Sequence, residues 1–241
     1  MNVDKNKDTE QYLTDTITER PYGFSVGERH FYLYPVTLGK MYILQKYIEL
    51  MAVDKENIRK NLYVEAIRLA KEKRDICLNV IYIHTCKTKD EIFDTGRQAE
   101  ITALFNKEMT DDDVAALTII VLSADKTDTL VKQLGIEKEQ RRMRITMDEK
   151  NEDDKSNLTF GGVSIYGSFI YPLLELGISW NEILWERSYT NLRLLLSDKV
   201  NSVFVTDTER KKIPAWVFGN GQYIKADDPK NKEMIKAMSW K

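Results

Sequence analysis

Two histidines and two cysteines are all that this 241-residue chain offers for nucleophilic or zinc chemistry: His30, His84, Cys77 and Cys86. A histidine base needs its nucleophile within hydrogen-bond reach, and zinc needs three or four ligands converging on one point. Cys77 and His84 share a face of a presumptive helix, but seven residues set them two turns apart, too far for a common ion. His30 falls on a presumptive strand with no second ligand at a useful spacing. On one helix, Cys77 and Cys86 point to opposite faces and lie too far apart along the axis for a disulfide. Both read as small buried hydrophobes in a reducing compartment.

The remaining motifs have structural readings. Gly161-Gly-Val-Ser164-Ile-Tyr-Gly167 places glycines before a helix start, yet it lacks the lysine and the long preceding strand of a phosphate-binding loop. Asp111 to Asp113 follow Thr110 and read as the acidic first turn of a capped helix. Thirty-eight acidic side chains leave carboxylate pairs that spacing alone does not reveal. The expectation is a protein that is not an enzyme and requires no metal or cofactor.

Thirty-six basic against 38 acidic side chains give a net charge of −2. Nucleic-acid binders draw most of their affinity from a basic excess, so this balance disfavours such a partner. Lys71 to Arg74, Arg141-Arg142 and Arg210 to Lys212 are basic clusters beside acids at helical spacing, which reads as solvated helix faces. No apolar run approaches the roughly 20 residues of a membrane helix, and the N-terminus lacks a signal-peptide core. The expected location is the cytoplasm.

The elements that would position these residues are mostly helical, since glycine and proline are scarce at 11 and 5. The expected fold is mainly α: a β-hairpin, a helical domain, a charged linker and a second small helical block. Residues 1–20 read as a flexible or partner-ordered arm. Residues 21–135 hold the hairpin, Phe24 to Val26 and Arg29 to Tyr34 around Gly27-Glu28, followed by helices. In the first helix Leu38, Met41, Tyr42, Gln45, Ile48 and Met51 step by three and four, the pattern of a buried face. Val114 to Ala124 is apolar nearly all round, and Gly135 ends the last helix of this domain. Residues 136–157 are a charged helix or linker. Residues 158–205 form the small block: a short extended piece at Leu158 to Phe160, a helix at Ser164 to Leu176 strained by Pro172, a capping box at Ser179 and Glu182, and a helix from Thr190 to Val203. Residues 206–241 are a C-terminal extension: a polar turn, Trp216-Val-Phe218, and a terminal helix opened by Asp228-Pro229. Its aromatic and apolar residues Trp216, Phe218, Met234, Ile235, Met238 and Trp240 sit in a polar context and are the candidate partner-binding set, because aromatic anchors are what interfaces favour.

Two stretches carry a resemblance. Residues 23–40 read G-F-S-V-G-E-R-H-F-Y-L-Y-P-V-T-L-G-K, and residues 166–186 read Y-G-S-F-I-Y-P-L-L-E-L-G-I-S-W-N-E-I-L-W-E. With the charged linker between them, these are similar to tail assembly chaperones and related tail proteins of phages and prophages of Bacteroides-type bacteria. The matching features are Tyr166-Gly167 and the step from Gly177 through Ser179, Trp180 and Glu182 to Ile183, over a resemblance spanning roughly residues 21 to 203. It implies a non-enzymatic oligomer in the host bacterial cytoplasm that coats the helical tape-measure protein by helix-in-groove contacts. Two other readings stay open: a structural virion component such as a tail connector or stopper subunit, and a nucleic-acid-associated protein of a mobile element.

Overall fold

The computed structural model describes residues 3–123, 127–153, 163–199, 203 and 205–218, and these are mainly helical with one antiparallel hairpin. In order they form α1 (Val3–Ile17), β1 (Tyr22–Val26), β2 (Arg29–Leu33), α2 (Leu38–Met51), α3 (Lys55–Lys60), α4 (Leu62–Glu72), α5 (Arg74–Thr85), α6 (Lys89–Phe93), α7 (Thr95–Glu108), α8 (Asp111–Leu122), α9 (Thr127–Gln133) and α10 (Ile136–Asp153). A π-turn at Tyr166–Ile170 runs into α11 (Tyr171–Glu175), and a second at Glu182–Glu186 precedes α12 (Tyr189–Ser197). Last come α13 (Asp207–Lys212) and a 3₁₀ turn at Ala215–Phe218. The chain divides into two compact units, one of residues 1–136 with 160–199, the other of 137–159 with 200–241. The extended piece expected at Leu158 to Phe160 and the terminal helix after Asp228 lie outside the described residues.

Short-range chemistry explains most boundaries. Gly27 takes φ +57° at the first central position of the hairpin turn, where a side chain would strain the backbone. The hairpin turns Phe24, Val26, Phe31 and Leu33 inward, and Phe31 meets Phe105 edge-on at 5.0 Å. Thr37, Thr88 and Thr110 cap α2, α6 and α8, the last two in full capping boxes with Glu91 and Asp113. Ser179 and Glu182 exchange the same pair of bonds at 3.2 and 3.0 Å. Gly135 and Gly177 close their helices at φ +76° and +82°. Pro172 is accommodated by the π-turn just before it: Tyr171 N–H reaches back five residues to the Tyr166 carbonyl, so the ladder is already re-registered at the proline. The polar turn expected after residue 206 is α13, opened by a Thr206–Glu209 capping box.

The larger core of the first unit is formed by α2, α4, α5, α7, α8 and the hairpin around Leu69, Leu78, Ile81, Phe105 and Val114. Here two expectations change. Residues 3–17 form a helix where a flexible or partner-ordered arm was expected, and Tyr12 and Leu13 pack on Leu130, Ile136 and Leu194. The Glu19 carboxylate accepts from Ser188 N–H at 2.8 Å and Asn191 Nδ2 at 3.1 Å, and Asn191 also donates to the Thr16 carbonyl at 3.0 Å. Those partners lie about 170 residues away in sequence, so nothing local to the arm announces them.

The second change concerns the small block expected as a separate domain, which folds back onto the first. Leu38 is buried among Ile170, Leu173, Ile183 and Leu192, and Trp185 packs against the larger core. Trp185 also covers Gly39 so closely that a Cβ there would lie 2.5 Å from its ring. A polar linker shows that the chain leaves the core, not that it stays away.

One buried carboxylate joins α3 to α4. Glu65 accepts from Asp54 N–H at 2.8 Å, Asn57 Nδ2 at 3.1 Å and Arg68 at 2.6 and 2.9 Å. Arg68 leads the causes that hold its pKa down at about 2.

Two outcomes are expected. Gly39→Ala should lower the unfolding free energy by about 2 kcal/mol or more, as overpacking against a rigid indole does. Chemical denaturation followed by tryptophan fluorescence measures it. Glu65→Gln should cost about 3 kcal/mol near neutral pH by facing donors with donors. Because Glu65 is depressed in the folded state, its contribution is complete above the ordinary carboxylate value of about 4.3 and is lost as pH falls from there toward 2. The gap between wild type and variant should therefore narrow between about pH 6 and about pH 3 in urea titrations.

Candidate functional site

The stripe Leu38, Met41, Tyr42, Gln45, Ile48 and Met51, expected to face the core, divides: its two ends, Leu38 and Met51, are buried, while Tyr42, Gln45 and Ile48 between them are exposed. In α2 the buried positions are Leu38, Gly39, Lys40, Leu44 and Met51, with Ile43 and Tyr47 packed beside them. Tyr42 is 52% exposed and Ile48 43%. The helix has two apolar faces, and the middle of the one with regular three-four spacing is left open. Its burial was misassigned because periodicity identifies an apolar face without saying what covers it.

That face forms one wall of a groove of about 980 Å³. Tyr12, Asp15, Thr16 and Arg20 come from the N-terminal segment, Leu33 to Val36 from the end of the hairpin, Ile119 to Ser123 from the end of α8, and Ser188 to Thr190 from the start of α12. Val80 and His84 reach it from α5. The lining is largely aliphatic and aromatic, with few charges. At the rim, Arg20 pairs with Asp15 at 3.4 Å, and Gln45 Nε2 donates to Glu49 at 3.1 Å.

His84 is the polar exception in the lining from α5. It is only 3% exposed, its backbone carbonyl accepts from Tyr34 N–H at 2.9 Å, and its ring is bonded in turn to the Tyr34 backbone. Burial, reinforced by the nearby Lys40 charge, lowers its pKa to about 3, so it is neutral at physiological pH. Lys40 is itself 2% exposed, with its ammonium 5.8 Å from the Tyr34 ring centroid, and burial lowers its pKa to about 8. Cys86 and Cys77 are free, buried thiols whose pKa values burial raises. Lys40 and His84 were not identifiable from spacing: each looks like an ordinary helix residue until the fold brings them together.

His30 stands apart on the exposed hairpin face, where its Nδ1 shares a 3.0 Å hydrogen bond with Ser25 Oγ. Among the described residues, no group of three or more histidine, cysteine, aspartate or glutamate side chains could hold a metal ion. Arg74, drawn from a basic cluster, serves the fold: it binds Asp111 at 2.9 Å, the Asn106 side chain at 2.7 Å and the Met109 carbonyl at 2.6 Å.

The candidate partner-binding residues separate into two groups. Trp216 and Phe218 lie in the second unit, where the 3₁₀ turn packs on its own helices. The Arg141 guanidinium sits 5.7 Å from the Trp216 ring, that of Arg210 lies 5.2 Å from Phe218, and Arg142 Nε donates to the Val217 carbonyl at 2.6 Å. Trp216 remains 48% exposed, so it is half committed to its own unit. Met234, Ile235, Met238 and Trp240 lie outside the described residues. Tyr166 and Trp180, two of the residues that carry the resemblance, stack at 6.2 Å and are both exposed.

No protein-family model, curated protein or solved structure matches this chain. No helix among the described residues is long and apolar enough to cross a membrane.

The depressed pKa of His84 has a measurable consequence. Below the ordinary histidine value of about 6.5 the unfolded chain takes up a proton that the folded chain refuses, so stability falls as pH drops. At about pH 5.5 this residue alone should cost the wild type about 1.4 kcal/mol relative to about pH 7.5. His84→Leu should lose that much less over the same interval, as read by guanidinium unfolding at the two pH values.

Proposed function

We infer that this chain is a non-catalytic binding protein, a tail-assembly chaperone that holds the helical tape-measure protein of a phage or prophage while the tail is built. The observation that carries the reading is the open apolar face of α2. A stripe at helical spacing beside a long groove is the surface that an amphipathic helix recognises through its own stripe. The resemblance of residues 23–40 and 166–186 to phage tail chaperones supports the same reading. Those two stretches are the parts that meet at Gly39 and Trp185, where the base of α2 is set.

The wall residues are exposed, so they can be changed with little effect on the fold. Tyr42→Glu with Ile48→Glu should reduce capture of a co-expressed tape-measure coiled coil by at least about tenfold while moving the unfolding free energy by no more than about 1 kcal/mol. Undiminished capture by a folded variant would remove the groove from the reading. Failure of the wild type to bind the tape-measure protein, together with its presence in purified particles, would point instead to a structural virion component.

A further inference from the structure

The N-terminal wall of the groove is held differently from the rest. α2, the hairpin, α5 and α8 all contribute to the larger core around Leu69, Leu78 and Phe105, and none can shift without repacking it. The N-terminal segment, which supplies Tyr12, Asp15, Thr16 and Arg20 to the lining, rests instead on the smaller cluster of Leu130, Ile136 and Leu194. Many of its polar groups find their partners within the segment itself. The hydroxyls of Thr14, Thr16 and Thr18 donate to the carbonyls of Glu10, Tyr12 and Thr14 at 2.8, 2.8 and 2.7 Å. Asp15 accepts from Gln11 at 2.9 Å and pairs with Arg20 at 3.4 Å. Those bonds travel with the segment, so moving it leaves none of them unmade.

A clamp at its end pins the segment to the body. Glu19 takes φ +53°, the left-handed conformation usual for glycine just past a helix, and Arg20 N–H returns to the Asp15 carbonyl at 2.9 Å. A side chain is disfavoured there, yet this one supplies the carboxylate that accepts from Ser188 N–H and Asn191 Nδ2, while Asn191 donates to the Thr16 carbonyl. Ile17, Thr18 and Glu19 border a second cavity of about 430 Å³, beside Gly177, Arg187 and Leu195. The segment therefore has open space next to it both in the groove and in this cleft.

Size explains why this wall has to move. From Leu38 to Glu49 the groove follows α2 for about 17 Å, or three turns. A helix of that length and about 10–12 Å diameter occupies roughly 1,300–1,900 Å³, more than the 980 Å³ of the groove. We propose that residues 3–20 are a strap, hinged at Thr18 to Pro21, which swings out to admit a partner helix and then closes along it. This rests on the groove reading above and adds how the partner enters. Opening precedes binding, so the association rate scales with the population of the open strap.

The test uses the full chain and a fluorescent helical peptide of about sixteen residues with an all-leucine stripe. Glu19→Gly removes the carboxylate while suiting the left-handed position, so the end of α1 is kept and the clamp is lost. Hydrogen exchange should show α1 amides about tenfold less protected in this variant, with those of α5 unchanged, the mark of a segment that opens without global unfolding. Stopped-flow mixing should show the peptide associating about tenfold faster with Glu19→Gly than with wild type. Asn191→Ala, which weakens the clamp without touching the hinge, should move both readings in the same direction. Equal association rates, or α1 amides that exchange only together with those of α5, would overturn the strap and leave the groove reading standing. Failure of the peptide to bind any of these proteins would overturn the groove reading, and the strap with it.

Discussion

The base of α2 is where the first unit is joined. Gly39 has no side chain, and the Trp185 indole lies flat against the space a Cβ would occupy. One residue earlier, Leu38 is buried in the cluster of Ile170, Leu173, Ile183 and Leu192; five residues later, Leu44 is buried in the larger core. A helix with 3.6 residues per turn presents those positions in different directions, so α2 belongs to two cores at its start and to one at its end. The open face follows from this. With Leu38 and Trp185 fixing the first turn and Leu44 and Met51 fixing the rest, Tyr42, Gln45 and Ile48 have only the groove left to face.

Much of this was legible in the residues. The hairpin, the capping boxes of Thr110 and Ser179, and the helix-ending Gly135 and Gly177 follow from short-range rules that act within four or five positions. What failed to show were relations between distant positions. Glu19 looks like any acid at the end of a polar arm until Ser188 and Asn191 reach it. Glu65 sits in a helix that alternates polar and apolar residues, and only the fold reveals that Asp54, Asn57 and Arg68 surround it.

The site was partly visible, but under the wrong assignment. Met41, Tyr42, Gln45 and Ile48 were recognisable as an apolar stripe, and a stripe in a chain of this composition is ordinarily core. Lys40 and His84 were not recognisable at all, because a lysine beside a glycine and a histidine at the end of an apolar helix are common. Their significance comes from burial and from each other: the Lys40 charge helps keep His84 neutral, and the Tyr34 backbone bonds the turn that holds His84. The aromatic C-terminal set gave the opposite outcome. Trp216 and Phe218 stood out by residue type, and both have arginine partners within their own unit.

The clamp made by Glu19 also sets an order of events during translation. Thr16 and Glu19 leave the ribosome early, yet their partners Ser188 and Asn191 follow about 170 residues later. At roughly 5–20 residues per second that is an interval on the order of 10 to 35 seconds. Throughout it the hairpin and the helices from α2 to α8 can assemble, while the start of α12 and the anchored N-terminal segment, both part of the groove lining, are still missing. The groove is therefore among the last surfaces to be finished, complete only after nearly all of the first unit has been synthesised.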